Sequence, residues 1–434
     1  KKREPPPEPV ELLLKTVRHF LRGLAVVMNR LPDPRRQERC LYTQAHLIWT
    51  GLLLFLMHLG SRRQMRFERL ADSFTENLAL LSGQQGLDTV ADPDTLAYYA
   101  EHVSVGAIEK LLAWMMRRLI RMKALDPFRL LTYFPVAIDG SQICTFNEEP
   151  WAGCPHRQLS NGDIQYFAYV LDAKLVTPCG MALSLASEML TNEGNEEFDK
   201  QDCELKAFPR LVEKLYAFYP RTKLCLLLDG LYANQNVIRL IESKRWKYII
   251  TFKEGSMSER FPEAVSLANM QTENRLKVRQ PDRLQQFVWA EELPIAEFTP
   301  NVLFCYERPK KGEARQFVWL TNFHLSRKNV EKIANNGGRL RWKVENEGFN
   351  VQKNNGYEME HPYSEHANGF RIFYILLLMA HIITQLILHG SLIRSLCRTF
   401  GSAKNFARRL AESLRNHAAP ADLAMPGQIR FLPP

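Results

Sequence analysis

The chain has 434 residues, 46% hydrophobic and 24% charged, which excludes a disordered tail and gives length for two or three domains that each bury a core. Lys and Arg outnumber Asp and Glu by 57 to 47, a net charge of +10, and that bias favours a polyanionic partner such as nucleic acid. The eight cysteines (Cys40, Cys144, Cys154, Cys179, Cys203, Cys225, Cys305, Cys397) form no C-x-x-C pair and have no His at zinc-ligand spacing, so they read as reduced thiols in a cytosolic protein.

Residues 1–10, opening KKREPPPEP, are charged and proline-rich and read as a disordered leader or arm. No secretory signal is visible, and the chain opens on Lys rather than Met, as a trimmed chain would. From 11 to 131 the spacing is helical: LLLKTVRHFLRGLAVVMNRL and IEKLLAWMMRRLIRMKAL place apolar residues three and four apart with Arg and Lys opposite. Asp94 and Thr95 read as helix-start residues. This all-α domain is rich in arginine (Arg35, Arg36, Arg39, Arg62, Arg63, Arg66), which makes it a candidate DNA-binding surface, with Arg62 and Arg63 the chosen contacts; a solvated helical face is the plainer alternative. Leu47 to Leu59 is too short to span a bilayer and Ile372 to Leu388 carries His381 and Gln385, so both read as buried helices.

Near residue 132 the period turns extended. YFPVAIDG, IQYFAYVLDAKLVTPCG, MALSLASEML, KLCLLLDG and KYIITFK read as strands, with helices over CELKAFPRLVEKLYAFYP and ANQNVIRLIESKRW. That order predicts an α/β layer over 132–253 with a partly parallel sheet. Residues 254–325 predict a β-rich insertion (LKVRQ, QQFVWAEELP, VLFCYERP, RQFVWLTNF) with PKKGEA as a turn. Over 326–390, Ser326 is expected to cap a helix (RKNVEKIAN), and RLRWKVENEGFNVQK to start another after the Asn335 to Gly338 break. Residues 391–434 read as a basic helical tail (Arg394, Arg398, Lys404, Arg408, Arg409, Arg415), a second candidate surface for DNA.

Asp139 and Asp229 each end an apolar run and precede a glycine. An acid there is costly to bury unless it meets a cation, and strand ends of an open α/β sheet converge on a crevice. Magnesium prefers oxygen ligands and takes one or two carboxylates with substrate phosphate, so the pair suits a metal site; the alternative is that each opens an Asp-Gly turn. In RWKVENEGFN, helical spacing puts Arg341, Glu345 and Phe349 on one face, with Glu347 facing solvent. The alternative for Arg341 and Glu345 is an intrahelical ion pair.

These segments resemble the DDE transposases of bacterial insertion sequences, in the insertion sequence 4 superfamily. The residues that carry the resemblance are VAIDG, CLLLDGLYANQNVIRLI with YIITFK, and RLRWKVENEGFNVQKNNGYEMEHPYS, with Asp229 lying 90 positions after Asp139 and Glu345 116 after Asp229. It covers about residues 130 to 390. The resemblance implies an RNase H-like α/β core, a mixed five-stranded sheet flanked by helices and interrupted by the β-rich insertion. It implies that Asp139, Asp229 and Glu345 bind two magnesium ions, with manganese as substitute, to nick transposon ends and join the 3′-hydroxyl to target DNA. It further implies inverted-repeat and target double-stranded DNA as partners, a homodimer on DNA, and Arg341 on a phosphate near the cleaved strand. By position in the fold it implies Lys253 as a phosphate contact, a surface charge being the alternative, and Trp319, more than Trp289, as the tryptophan that stacks a flipped base, packing within a β-hairpin being the alternative. Two positions depart from the family: its tyrosine before the arginine is here Gly338, and its lysine after the glutamate falls on Gln352, with Lys353 one further on. An RNase H-like nuclease that does not join strands, and a domesticated DNA-binding protein without catalysis, remain open.

Overall fold

A computed structural model describes residues 8–192, 203–255, 257, 259–393, 396–425 and 427–431. Six helices lead: Pro9–Phe20, Leu24–Asn29, Gln44–Leu56, Asp72–Ser82, Pro93–His102 and Val105–Arg121, with one-turn helices between them. Side-chain caps set several starts, Thr43 accepting from the His46 N–H and Ser104 from that of Ala107. Asp92 caps the helix Pro93–His102, in whose first turn Asp94 and Thr95 stand: its carboxylate accepts from the Asp94 N–H and Pro93 takes the first helical position, where a missing N–H costs nothing. The leader is shorter than the sequence predicted. Pro9 and Val10 are already helical, Val10 is buried, and its N–H donates to Ser413 Oγ at 3.2 Å; residues 1–7 lie outside the described residues.

Among the described residues, ten strands then build one mixed sheet: β1 (Phe134–Phe146), β2 (His156–Gln158), β3 (Ile164–Val176), β4 (Ala182–Met189), β5 (Leu224–Leu228), β6 (Lys247–Thr251), β7 (Arg275–Arg279), β8 (Arg283–Ala290), β9 (Asn301–Pro309) and β10 (Arg315–Thr321). Their order is β2-β3-β1-β5-β6-β10-β9-β8-β7, with β4 also on β3. β1 with β5 and β5 with β6 are parallel, and every other pair is antiparallel. The helices Glu204–Phe218 and Gln235–Ser243 lead into β5 and β6.

The five strands read from the sequence are β4, β3, β1, β5 and β6, but the sheet does not stop there. β10 pairs with the open edge of β6, Trp319 opposite Thr251, and carries the other insertion strands outward. An edge strand leaves a row of unpaired N–H and C=O groups, and the insertion satisfies them. The insertion is also not wholly extended, since Arg260–Met270 is a helix.

Helix Val330–Asn335 begins later than expected, with Asn329 at its start; Ser326 is not its cap but donates its own N–H to Asn329 Oδ1 at 2.8 Å. The following segment is a 3₁₀ turn (Gly338–Trp342), a π turn (Val344–Phe349) and a short α-helix (Asn350–Asn354), not one continuous α-helix. Helix Ala367–His389 is long and apolar enough to cross a membrane, yet 89% of its most apolar stretch is buried, packed on amino-terminal helices and β4. Gln44–Leu56 is buried along its whole length, so both apolar stretches are core helices, as the sequence suggested.

Candidate active site

Parallel pairing carries β1 and β5 side by side from Phe134 opposite Leu224 to Ala137 opposite Leu227. Two residues beyond, β1 reaches Asp139 and β5 has ended at Asp229, so the two acids share a face of the sheet. Asp139 lies inside a strand, opposite Asp172 on β3, so the turn reading fails for it. Asp229 does open a turn: its Oδ1 accepts from the Leu231 N–H at 2.9 Å and caps the 3₁₀ turn Gly230–Tyr232. Gly140 is required for packing rather than for a turn. A Cβ there would collide with Glu204 Oε1 and the Tyr169 ring, which fill that space.

Glu204, in the first turn of helix Glu204–Phe218, is an acid of the site that sequence reasoning missed. It accepts from Tyr169 OH at 2.5 Å and from Tyr232 OH at 3.0 Å. Burial and the surrounding carboxylates push both phenols far above their ordinary range, which keeps them as donors. The Asp139 carboxyl is pushed up to about 6, chiefly by burial; Arg341 opposes the shift, Glu204 adds to it, the Gly140 N–H opposes it, and Asp229 adds to it. Arg341 Nη1 stands 3.3 Å from Asp139 Oδ2. An acid raised by burial and, to a smaller extent, by two neighbouring acids, with one guanidinium beside it, is a place where a further cation is favoured.

Glu345 differs from its expected setting. Arg341 turns to Asp139 instead of forming an ion pair with Glu345, and Glu345 is exposed while Phe349 is buried. A 3₁₀ turn followed by a π turn changes the angle per residue, so four-residue spacing no longer defines one face. Glu347, assigned to solvent, is half-exposed and pairs with Lys343 at 3.0 Å. Among the described residues, no three His, Cys, Asp or Glu side chains stand close enough to chelate a metal ion in this conformation. Asp139 and Asp229 supply two carboxylates, which meets the ordinary protein contribution to a magnesium site.

Beside Asp229 opens a cleft of about 700 Å³, between the end of β6, β10 and the Gly338–Trp342 turn. Its cations are Lys253, Arg315, Arg339 and Arg341, and its aromatic rings are Phe261, Phe317, Trp319 and Trp342. Lys253 is exposed at the rim. Trp319 is nearly buried, stacked on Phe317 with centroids 5.8 Å apart, and Trp289 is equally buried on β8. Gly338 explains the first: a Cβ at 338 would collide with the Trp319 indole, so Trp319 fills the place of the side chain that glycine lacks. The exposed indole belongs instead to Trp342, 53% exposed, with the Arg341 guanidinium 4.6 Å from its ring. Single tryptophans leave no periodic signal, so the sequence did not single it out.

Gln352 is fully buried, donating to His381 Nδ1 at 3.0 Å, and Lys353 pairs with Glu360 at 3.0 Å. Arg62 is half-buried with its guanidinium 5.8 Å from the Phe373 ring, whereas Arg63 is exposed. Arg35 is tied to Asp33 at 2.7 Å and largely buried, and Arg66 reaches Asp94 at 2.7 Å, so neither offers a fully free charge. In the tail, Lys404 and Arg408 are exposed, Arg415 pairs with Glu68 at 3.2 Å, and Arg394 lies outside the described residues. The seven cysteines with described side chains are free thiols. In comparisons with known proteins, the chain matches no family model and no curated protein.

Proposed function

We propose that this chain is a divalent-metal-dependent DNA-processing enzyme of the DDE transposase type, with an RNase H-like core made of β4, β3, β1, β5, β6 and their flanking helices. The observation that carries the reading is the placement of Asp139 and Asp229 side by side at the end of the β1 and β5 pairing, next to a basic and aromatic cleft.

Asp139 and Asp229 would hold magnesium, and Glu345, on the turn packed against β1, would complete the set on closing over bound DNA. When bound, a pair of such ions neutralises charge on the attacking and leaving oxygens of a phosphodiester. The residues of the chain bind and orient the strand. Arg341 exchanges Asp139 for a backbone phosphate, a charge-assisted contact suited to its planar fork. Lys253 and Arg315 line the path of the backbone, with Arg339 held to the buried Glu307 beside them, and Trp342 offers a ring on which an unpaired base stacks, an interaction worth about 1–3 kcal/mol per base. Arg63, Lys404 and Arg408 are exposed charges on helical regions that would hold double-stranded transposon ends, two of which a homodimer would bring together.

The test uses duplexes carrying the inverted repeats that flank the coding sequence, with magnesium or manganese. Wild-type protein is expected to nick them at the 3′ end and to join pre-nicked ends to plasmid DNA. Nicking without joining would reduce the reading to a nuclease, and binding without either would leave a DNA-binding protein.

A further inference from the structure

Beneath the π turn that carries Glu345 lies a buried ion pair. Lys174 and Asp172 stand on β3, opposite Ala137 and Asp139 of β1, and both are fully buried. Lys174 Nζ donates to Asp172 Oδ2, to Ser184 Oγ at 2.9 Å and to Gln352 Oε1 at 3.5 Å. Tyr374 OH donates to the same Asp172 oxygen at 3.1 Å, while Oδ1 has no hydrogen-bond partner among the described residues. The turn rests on this lysine at two points and the short helix after it at a third. Gly348 lies against its stem, where a Cβ would come within 2.7 Å of Cε; the Phe349 ring centroid is 4.9 Å from Nζ; and Gln352 takes its third donor.

Burying two charges commonly gains nothing over apolar residues of the same volume, so stability alone does not account for the pair; its best-attested use is to fix one register among several. A π turn is such a register choice, because the same residues wound as an α-helix would turn Glu345 to another direction. We propose that Lys174 and Asp172 are positioning residues: by seating Gly348, Phe349 and Gln352 they hold the Val344–Phe349 segment in its π register and so fix the turn from which the Glu345 carboxylate closes toward Asp139. The part of this that concerns Glu345 rests on the metal-site reading above.

The test replaces both charges with near-isosteres, Asp172→Asn with Lys174→Met, in the full chain, so that no lone charge is stranded. Amide hydrogen exchange over residues 344–354 reads the register without requiring activity. We expect the double variant to stay folded and to bind end duplexes as wild type, with amides of 344–350 exchanging at least about tenfold faster. Nicking should fall about 100-fold, the scale of an ångström-sized misplacement, with a higher magnesium requirement. Unchanged exchange overturns the proposal whatever the activity, and so does faster exchange with wild-type nicking at wild-type magnesium dependence. Should wild-type protein nick no DNA, the metal-site reading fails on its own, and exchange alone decides whether the pair fixes the turn. Should the double variant not fold, Gly348→Ala displaces the turn from Lys174 while keeping both charges, and the same measurements apply.

Discussion

Asp139 and Asp229 stand level on neighbouring strands because the 90 positions between them equal the offset at which β1 pairs with β5, Phe134 opposite Leu224 through Ala137 opposite Leu227. A one-residue slip in that pairing would send one acid to the opposite face of the sheet. The level placement is therefore set by the register of that pairing.

Asp139→Asn and Asp229→Asn keep the shape of each side chain and remove its charge. Each is expected to lower magnesium-dependent nicking at least about a thousandfold, equivalent to about 4 kcal/mol of transition-state stabilisation, while the affinity for end duplexes stays within a few-fold. Asp229→Asn still has an oxygen to accept from the Leu231 N–H, so its unfolding midpoint should hardly move. Wild-type nicking rates in either variant would remove the pair from the chemistry.

Gly338 and Trp319 occupy one site between them. Gly338→Tyr, which restores the residue of the resembled family, should destabilise the fold by about 1–3 kcal/mol through overpacking. Adding Trp319→Ala to that variant should recover part of the loss, because the two side chains compete for one volume, and a double-mutant cycle in urea measures the coupling. Additive effects would show that the indole does not exclude the tyrosine.

Arg341 and Lys253 are expected to contact phosphate. Replacing either with Ala should weaken binding uniformly across DNA sequences and reduce the slope of log affinity against log salt by about 0.9. Arg341→Ala should in addition impair nicking more than binding, since it also leaves Asp139 without its guanidinium partner. A salt slope identical to that of wild type in both variants would place these cations away from the backbone.

Buried imidazoles give the fold an acid limit. Burial lowers His46 to about 4 and, with help from Lys174 and the neighbouring imidazoles of His58 and His389, His381 to about 3. Both stay neutral in the folded chain while the unfolded chain takes up protons below its ordinary histidine value of about 6.5. Stability is therefore fully present above pH 6.5 and is lost as pH falls through that value toward 4, by about 1.4 kcal/mol per pH unit for each histidine. Urea unfolding at pH 7.5, 6 and 5 measures the slope. His46→Gln should flatten it, because an amide carries no proton to gain.

The sequence by itself determined the local order of this protein: the helical amino-terminal region, the five strands with their two acids, and the strand-rich insertion. These follow from period and from turn chemistry, which act over a few residues and leave a readable pattern. The 90 positions from Asp139 to Asp229 are read from the chain, but that they equal the offset at which β1 pairs with β5 was decided by the tertiary structure. Only the tertiary structure decided that the insertion extends the same sheet through β10, that Trp319 is filler while Trp342 is exposed, and that Arg341 reaches Asp139 rather than Glu345. The same holds for Glu204, which helix Glu204–Phe218 brings against Gly140, and for the lysine buried beneath the Glu345 turn. Each of these depends on which surfaces meet after folding, and burial and ion pairing join residues far apart in the chain, where no local period records them.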